Sequence, residues 1–169
     1  MRTSKPPLKS SSSSVEVRGS GIHGRGVFAA RRIRKGERII EYIGKRISWK
    51  KAKQMPPLDP KNPNHTVFFG LDDGSVIDPS VGGNEAQWIN HSCEPNCEPN
   101  EAKGRIYIIA CRDLKAGDEL LFDYRLEAEG RRTKKLERDF RCDCGTRHCR
   151  RTMLEPPECT FHIPPPSKE

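Results

Sequence analysis

With 169 residues, a net charge of +8 and only 33% apolar against 32% charged residues, the chain has room for one domain with tails, and its core must be lean. No run approaches the roughly 20 apolar residues of a membrane span and the N-terminus lacks an apolar secretory segment, so a soluble intracellular protein without membrane contact is expected. In that setting the seven cysteines read as thiols or metal ligands rather than disulfides.

The charge is unevenly spread. Residues 1–60 hold 15 Lys and Arg against 4 Asp and Glu, residues 61–127 hold 6 against 12, and residues 128–169 hold 10 against 7. An acidic middle suits a basic peptide, while the basic ends suit phosphate.

Along the chain, residues 1–14 combine Pro6-Pro7 with five serines from Ser10 to Ser14 and no apolar periodicity, which predicts a disordered leader. Short apolar or β-branched runs follow, separated by frequent glycine and proline turn signals: Val27-Phe28-Ala29, Ile39-Ile40, Val67-Phe68-Phe69, Val76-Ile77, Ile106 to Ile109 and Leu120-Leu121-Phe122. These have strand length, and Asp72-Asp73-Gly74-Ser75 reads as a hairpin turn. Helical signals are few. Ser48 to Met55 starts on a capping serine and stops before Pro56-Pro57, Gly83 to Ile89 fits one or two turns, and the charged stretch Leu126 to Phe140 reads as a longer helix. Residues 155–169 carry five prolines and predict an extended tail or a surface strap. The fold class is mostly β, with an ordered domain from about residue 15 to 154.

Three kinds of chemistry stand out. Cys142-Asp-Cys144-Gly-Thr-Arg-His-Cys149 places three thiols within eight residues, a density that suits one zinc ion. On spacing alone the fourth ligand is Cys93, Cys97, Cys159 or His148. Cys111, just after a strand-like run, reads as a buried small hydrophobe. Gly21-Ile-His23-Gly24-Arg25-Gly26-Val27 is a glycine-rich loop entering a strand, without the spacing of a dinucleotide or P-loop site. The polar pair Asn90-His91 follows apolar Trp88-Ile89, the make-up of a small-molecule site at a core edge.

Asn90-His91-Ser92-Cys93, then Glu119-Leu-Leu-Phe122-Asp-Tyr124, then the thiol cluster, with Gly24-Arg25-Gly26 upstream, resemble a SET-domain protein lysine methyltransferase with a post-SET zinc cluster. The resemblance covers about residues 15–154, and the chain looks like a compact bacterial or viral member. It implies small curled sheets in a β-clip fold with few short helices, a C-terminal pseudoknot bringing Asn90-His91 beside Tyr124, a SET domain over 15–127, a linker and post-SET zinc segment over 128–154, and a Pro-rich tail. It also implies S-adenosylmethionine as cofactor, held by His23, Gly24, Arg25, Gly26, Trp88, Asn90, His91 and Tyr124. Zinc would sit on Cys93, Cys142, Cys144 and Cys149.

Tyr124 matches the family's catalytic tyrosine, Tyr42 a channel tyrosine, and Phe122 the position where phenylalanine leaves room for di- or trimethylation. The sequence departs from the family pattern at Gln87, where many members carry Arg, and at Lys45, where an acidic residue is common. The implied substrate is a lysine of a basic histone-like or DNA-associated protein, reached in the cytoplasm for a bacterial enzyme or on nuclear chromatin in a eukaryotic host. An accessory DNA contact through Arg131-Arg132-Thr-Lys134-Lys135 and a catalytically silent, zinc-stabilised binding module are the competing expectations.

Overall fold

The computed structural model describes residues 14–56, 68–127 and 131–156. The expected leader and Pro-rich tail therefore lie outside the described residues except at their inner ends. Ser14 already belongs to the fold, its carbonyl accepting from Ala30 N–H. No helix of the described residues is long and apolar enough to cross a membrane.

Four small sheets carry the described residues. Strands β1 (Val15–Gly19) and β2 (Arg25–Ala29) form an antiparallel ribbon. Strand β3 (Arg38–Tyr42) joins β8 (Cys97–Ala102) and β9 (Arg105–Ala110) in the order β3-β9-β8. Strand β4 (Lys45–Ser48) joins β5 (Phe69–Gly70) and β6 (Ser75–Asp78) in the order β4-β6-β5. Finally β7 (Asn90–His91) pairs in parallel with β10 (Leu121–Phe122).

Strand β9 shows how the lean composition is used. Ile106, Ile108 and Ala110 are buried while Tyr107 and Ile109 are half-buried, the period-two pattern of a central strand. With Val27, Ile33, Ile89, Leu114 and Leu120 they form one dense core. The Asp72–Ser75 hairpin forms as expected: Gly74 N–H donates to Leu71 O, Leu71 N–H donates to Ser75 O, and Gly74 takes a left-handed φ of 78° that a glycine adopts freely.

Helix α1 (Trp49–Lys53) starts on Ser48, whose hydroxyl accepts from Lys51 N–H at 3.3 Å, and a 3-10 turn spans Glu85–Trp88. Both follow the sequence. The long helix expected over Leu126 to Phe140 does not form. Helix α2 covers only Lys134–Asp139, capped by Thr133, and residues 128–130 lie outside the described set. Leu126 is committed elsewhere, in a parallel bridge with Leu154 that uses both its N–H and its carbonyl. A backbone bonded across the molecule cannot also close an i to i−4 ladder.

Strand β8 was not legible, because Cys-Glu-Pro-Asn-Glu-Ala has neither alternation nor β-branched residues. It survives as an edge strand, where Pro99 loses no ladder bond. Cys111 is also corrected: it lies just past β9 and is partly exposed, and the fully buried small hydrophobe is Cys97. Burial pushes the Cys97 thiol up to about 12, which keeps it protonated and inert.

Candidate active site and metal centre

The parallel β7–β10 pair is the joint of the site. It aligns Leu121 with Asn90 and Phe122 with His91, and Ser92 N–H donates to Phe122 O. Asn96 locks the joint with its carboxamide: Nδ2 donates to Glu119 O at 2.7 Å while Oδ1 accepts from Leu121 N–H at 2.9 Å. A buried amide so paired imitates a backbone strand and has both polar ends satisfied. The Asn90-His91 and Phe122–Tyr124 segments are thereby brought together, as the expected pseudoknot requires.

On one side of the joint lies an aromatic run. Ring centroids are 5.2 Å apart for Tyr42 and Phe69, 6.2 Å for Phe69 and Phe122, 5.0 Å for Phe122 and Tyr124, and 5.3 Å for Tyr124 and His91. All are tilted or edge-on arrangements that suit ring quadrupoles. Tyr42, Phe69, Phe122 and Tyr124 line a cleft of about 690 Å³ that also touches Trp49, Asp72, Gln87 and Phe140. Phe69 is a wall the sequence showed only as part of a strand.

The Tyr124 hydroxyl donates to Ile89 O at 2.7 Å. Burial, and then the charge of Glu119, push its ionisation well above the ordinary tyrosine range. Burial does the same for Tyr42. Both phenols stay neutral, and Tyr124 is left with oxygen lone pairs as its free functionality.

On the other side of the joint lies the glycine-rich loop. Asn90 Nδ2 donates to His23 O at 3.1 Å, Arg25 O at 2.9 Å and Glu119 Oε1 at 3.0 Å. Gly24 adopts φ 46°, the left-handed region that favours glycine. The Arg25 guanidinium stands over the Trp88 ring at 5.2 Å, a cation–π contact that holds Trp88 against the loop. Asn90 thus ties the 23–26 loop to β7, Arg25 ties it to Trp88, and Tyr124, bonded to His91 and Ile89, links this side to the cleft. Gln87 binds locally, Nε2 donating to Asn84 O.

His91 joins this side to the thiols. Its Nδ1 accepts from Tyr124 N–H at 3.1 Å and its Nε2 lies 3.4 Å from Cys93 Sγ. Burial lowers its pKa to about 4 against the opposing pull of Asp123. A neutral ring carrying its proton on Nε2 satisfies both contacts.

Cys93, Cys142, Cys144 and Cys149 place their sulfurs within 4.8 Å of one another. The Cys93–Cys142 and Cys142–Cys149 separations are both 3.7 Å. A tetrahedral zinc–thiolate site with bonds of about 2.3 Å has sulfur–sulfur edges of about 3.8 Å, so the donor set and its spacing fit zinc. Backbone N–H groups of Cys144, Arg150 and Arg151 point at Cys142, Cys93 and Cys149 sulfurs, the charge-assisted bonds thiolates accept. Of the rival fourth ligands, His148 is exposed and pairs with Glu94 at 2.6 Å, Cys97 is in the core, and Cys159 lies outside the described residues.

Sequence reasoning missed one ion pair. Arg150 holds Asp123 with two bonds of 2.7 and 2.9 Å, clamping the thiol segment against the residue next to Tyr124. No local pattern marks the pair, because the two residues are 27 positions apart.

Comparison with known proteins agrees with this geometry. The SET domain family profile matches residues 24–125. The chain is 40% identical over 150 residues to histone-lysine N-methyltransferase 2B of Homo sapiens, covering 86% of this chain and 5% of that protein. It is 39% identical over 136 residues to the H3 lysine-4 specific histone-lysine N-methyltransferase of Candida albicans, covering 78% and 13%. Among solved structures, ctPRC2 in an autoinhibited conformation bound to S-adenosylmethionine is 32% identical with a TM-score of 0.59, over 68% of this chain and 15% of that one. The chain spans only a small part of the length of these relatives. On profile, sequence and fold together, it belongs to the SET domain family.

Proposed function

We propose that the chain is an S-adenosylmethionine-dependent protein-lysine N-methyltransferase acting on lysines of basic proteins such as histone tails. The observation that carries this reading is the aromatic run ending at Tyr124, whose hydroxyl proton is taken by Ile89 O beside the Asn90 clamp. The relatives named histone-lysine methyltransferases and the S-adenosylmethionine-bound neighbour support it.

S-adenosylmethionine supplies a sulfonium-bound methyl group open to in-line displacement by an amine. The chain's own groups align the amine and keep water out. Tyr42, Phe69 and Phe122 give an apolar channel that favours the uncharged amine of a lysine, and their ring faces tolerate a methylammonium product. Tyr124, neutral and with its proton engaged, directs lone pairs at the reacting centre and does not act as a base. Trp49, 48% exposed, and Asp72 stand where the cleft meets solvent, which gives the lysine proton an aqueous exit. Phe122 has no hydroxyl to hold a water beside the amine, so the channel accommodates di- and trimethylation. Cys93, Cys142, Cys144 and Cys149 hold zinc in a structural role.

The test is transfer of labelled methyl from S-adenosylmethionine to histones and to basic DNA-associated proteins, by this chain and by Tyr124→Phe. We expect transfer, reduced at least about 100-fold in the variant. Phe122→Tyr should shift the product toward monomethyl-lysine in mass spectra. Absence of transfer to every basic substrate, with S-adenosylmethionine still bound, would favour the silent zinc-stabilised module. The exposed Arg131, Lys134 and Lys135 are suited to an accessory phosphate contact, which binding to DNA measured across a salt series would reveal as a negative slope.

A further inference from the structure

We infer that Glu119 is the positioning residue of the glycine-rich loop, an inference that rests on the methyltransferase reading for its ligand but not for its geometry. Glu119 Oε1 accepts from Ser20 Oγ at 2.7 Å and from Asn90 Nδ2 at 3.0 Å. Ser20 opens the loop: its hydroxyl oxygen accepts from Ile22 N–H at 2.9 Å, and its own N–H donates to Gly24 O at 3.0 Å. Asn90 closes it through His23 O and Arg25 O. A single carboxylate oxygen thus ties both attachment points of residues 20–25.

The carboxylate is itself anchored by rigid backbone. Glu119 faces Phe28 in an antiparallel bridge, its carbonyl accepts from Asn96 Nδ2, and the next residue, Leu120, donates its N–H to Val27 O at 2.7 Å. No cation pairs with it among the described residues. Gly26 records the same arrangement from the loop's side. A Cβ there would lie 2.3 Å from Glu119 Oε1 and 3.0 Å from Ser20 Cβ. A side chain at position 26 would force the carboxylate out of that space, a reason for the glycine separate from contact with a ligand.

Two consequences follow for Asn90. Its two Nδ2 hydrogens serve three acceptors, so its amide is turned with nitrogen toward the loop. No partner is found for its Oδ1 among the described residues, which leaves that oxygen available to a donor such as the amino group of S-adenosylmethionine. Removing Glu119 frees the amide to rotate and the loop to open; in the aromatic channel it takes away only a charge that opposes Tyr124 ionisation, and the buried phenol stays neutral.

The experiment uses the zinc-loaded full chain. Glu119→Ala should raise the Kd for S-adenosylmethionine about 30-fold, as loss of two bonds to a charged acceptor requires. The kcat at saturating S-adenosylmethionine and the KM for a histone H3 tail peptide should each stay within about threefold of the parent chain. Glu119→Gln, whose amide oxygen can accept both bonds, should restore the Kd to within about fivefold, and Ser20→Ala should fall between. Gly26→Ala should weaken binding about tenfold alone yet add less than about twofold in the Glu119→Ala background, because the atom it displaces is already gone.

Hydrogen exchange of amides 22–26 should lose protection in Glu119→Ala with no S-adenosylmethionine present. A folded Glu119→Ala chain with unchanged loop exchange, or additive Gly26 and Glu119 effects, would overturn the inference. If no form binds S-adenosylmethionine while the loop exchange still responds, the function fails and the positioning role stands.

Discussion

The sheets between residues 15 and 122 and the strap between 131 and 156 are stabilised by different means. The sheets bury Val27, Ile33, Ile106, Ile108, Leu114 and Leu120 almost completely and need no help to hold Asn90 against the loop. In the strap only Cys142, Thr152 and Leu154 are buried, and helix α2 buries no residue at all. A segment so poor in apolar contact cannot offset its own ordering entropy by hydrophobic burial. It is held by four thiols, the Arg150–Asp123 pair and the Leu126–Leu154 bridge. The difference separates the two halves of the site: the loop rests on the packed sheets through the Glu119 and Asn90 hydrogen bonds, while Tyr124, next to Asp123 and bonded to His91, depends on the metal as well.

Removing zinc should break that comparison most completely. Binding at a four-thiolate site contributes on the order of 10 kcal/mol, more than anything else in the strap. A strong chelator, or Cys142→Ser, should abolish exchange protection across residues 133–156 and end methyl transfer. Amides of β9 should keep theirs. Equal loss in both regions would mean that the sheets also rest on the metal.

Ile108→Ala reverses the experiment. It opens a cavity in the middle of β9, where Ile108 is fully buried, and should cost about 2–5 kcal/mol, read as a lower urea midpoint for the sheets. Zinc stoichiometry should be unchanged under native conditions. Asp123→Asn comes next. It leaves Arg150, partly buried and with Nε already unpartnered, facing a neutral amide. The loss should be about 2 kcal/mol, moderated because Arg150 remains a quarter exposed. It should appear in competition with a zinc-binding dye as weaker metal retention and leave the β9 amides untouched.

This division also explains what the sequence revealed. What was legible is what is local: the thiol density of Cys142–Cys149, the Asn90-His91 pair at the edge of the core, and the Ser48 cap that opens α1. The hairpin at Asp72–Ser75 was legible for the same reason, since its turn depends on four adjacent residues. What stayed hidden is pairing between distant positions. Asn96 joins Glu119 to Leu121, Arg150 finds Asp123, Phe69 completes the aromatic run, and none of these leaves a periodic trace. The helix expected from Leu126 failed because a bridge to Leu154 took its backbone, a tertiary contact overriding local propensity. Strand β8 was invisible because an edge strand facing solvent has no need of the alternation that marks a buried one.

The smallest test compares one element type across the two regions. Ser48 caps α1 beside the sheets and Thr133 caps α2 in the strap, each hydroxyl accepting a backbone N–H in the first turn, at 3.3 and 3.1 Å. Replacing either by alanine should cost about 1 kcal/mol locally, but the reporting quantity should differ. Ser48→Ala acts on a helix packed through Ala52 against Ile47 and Val76, so its cost should lower the thermal midpoint of the sheets. Thr133→Ala acts on a helix with no buried residue, folded only as part of the metal-bound strap. By linkage its cost subtracts from metal binding and should appear as a roughly fivefold weaker zinc affinity with the sheets' midpoint unmoved. If Thr133→Ala instead lowered the thermal midpoint of the sheets and left zinc affinity alone, the strap would be coupled to the sheets more tightly than its few buried residues allow.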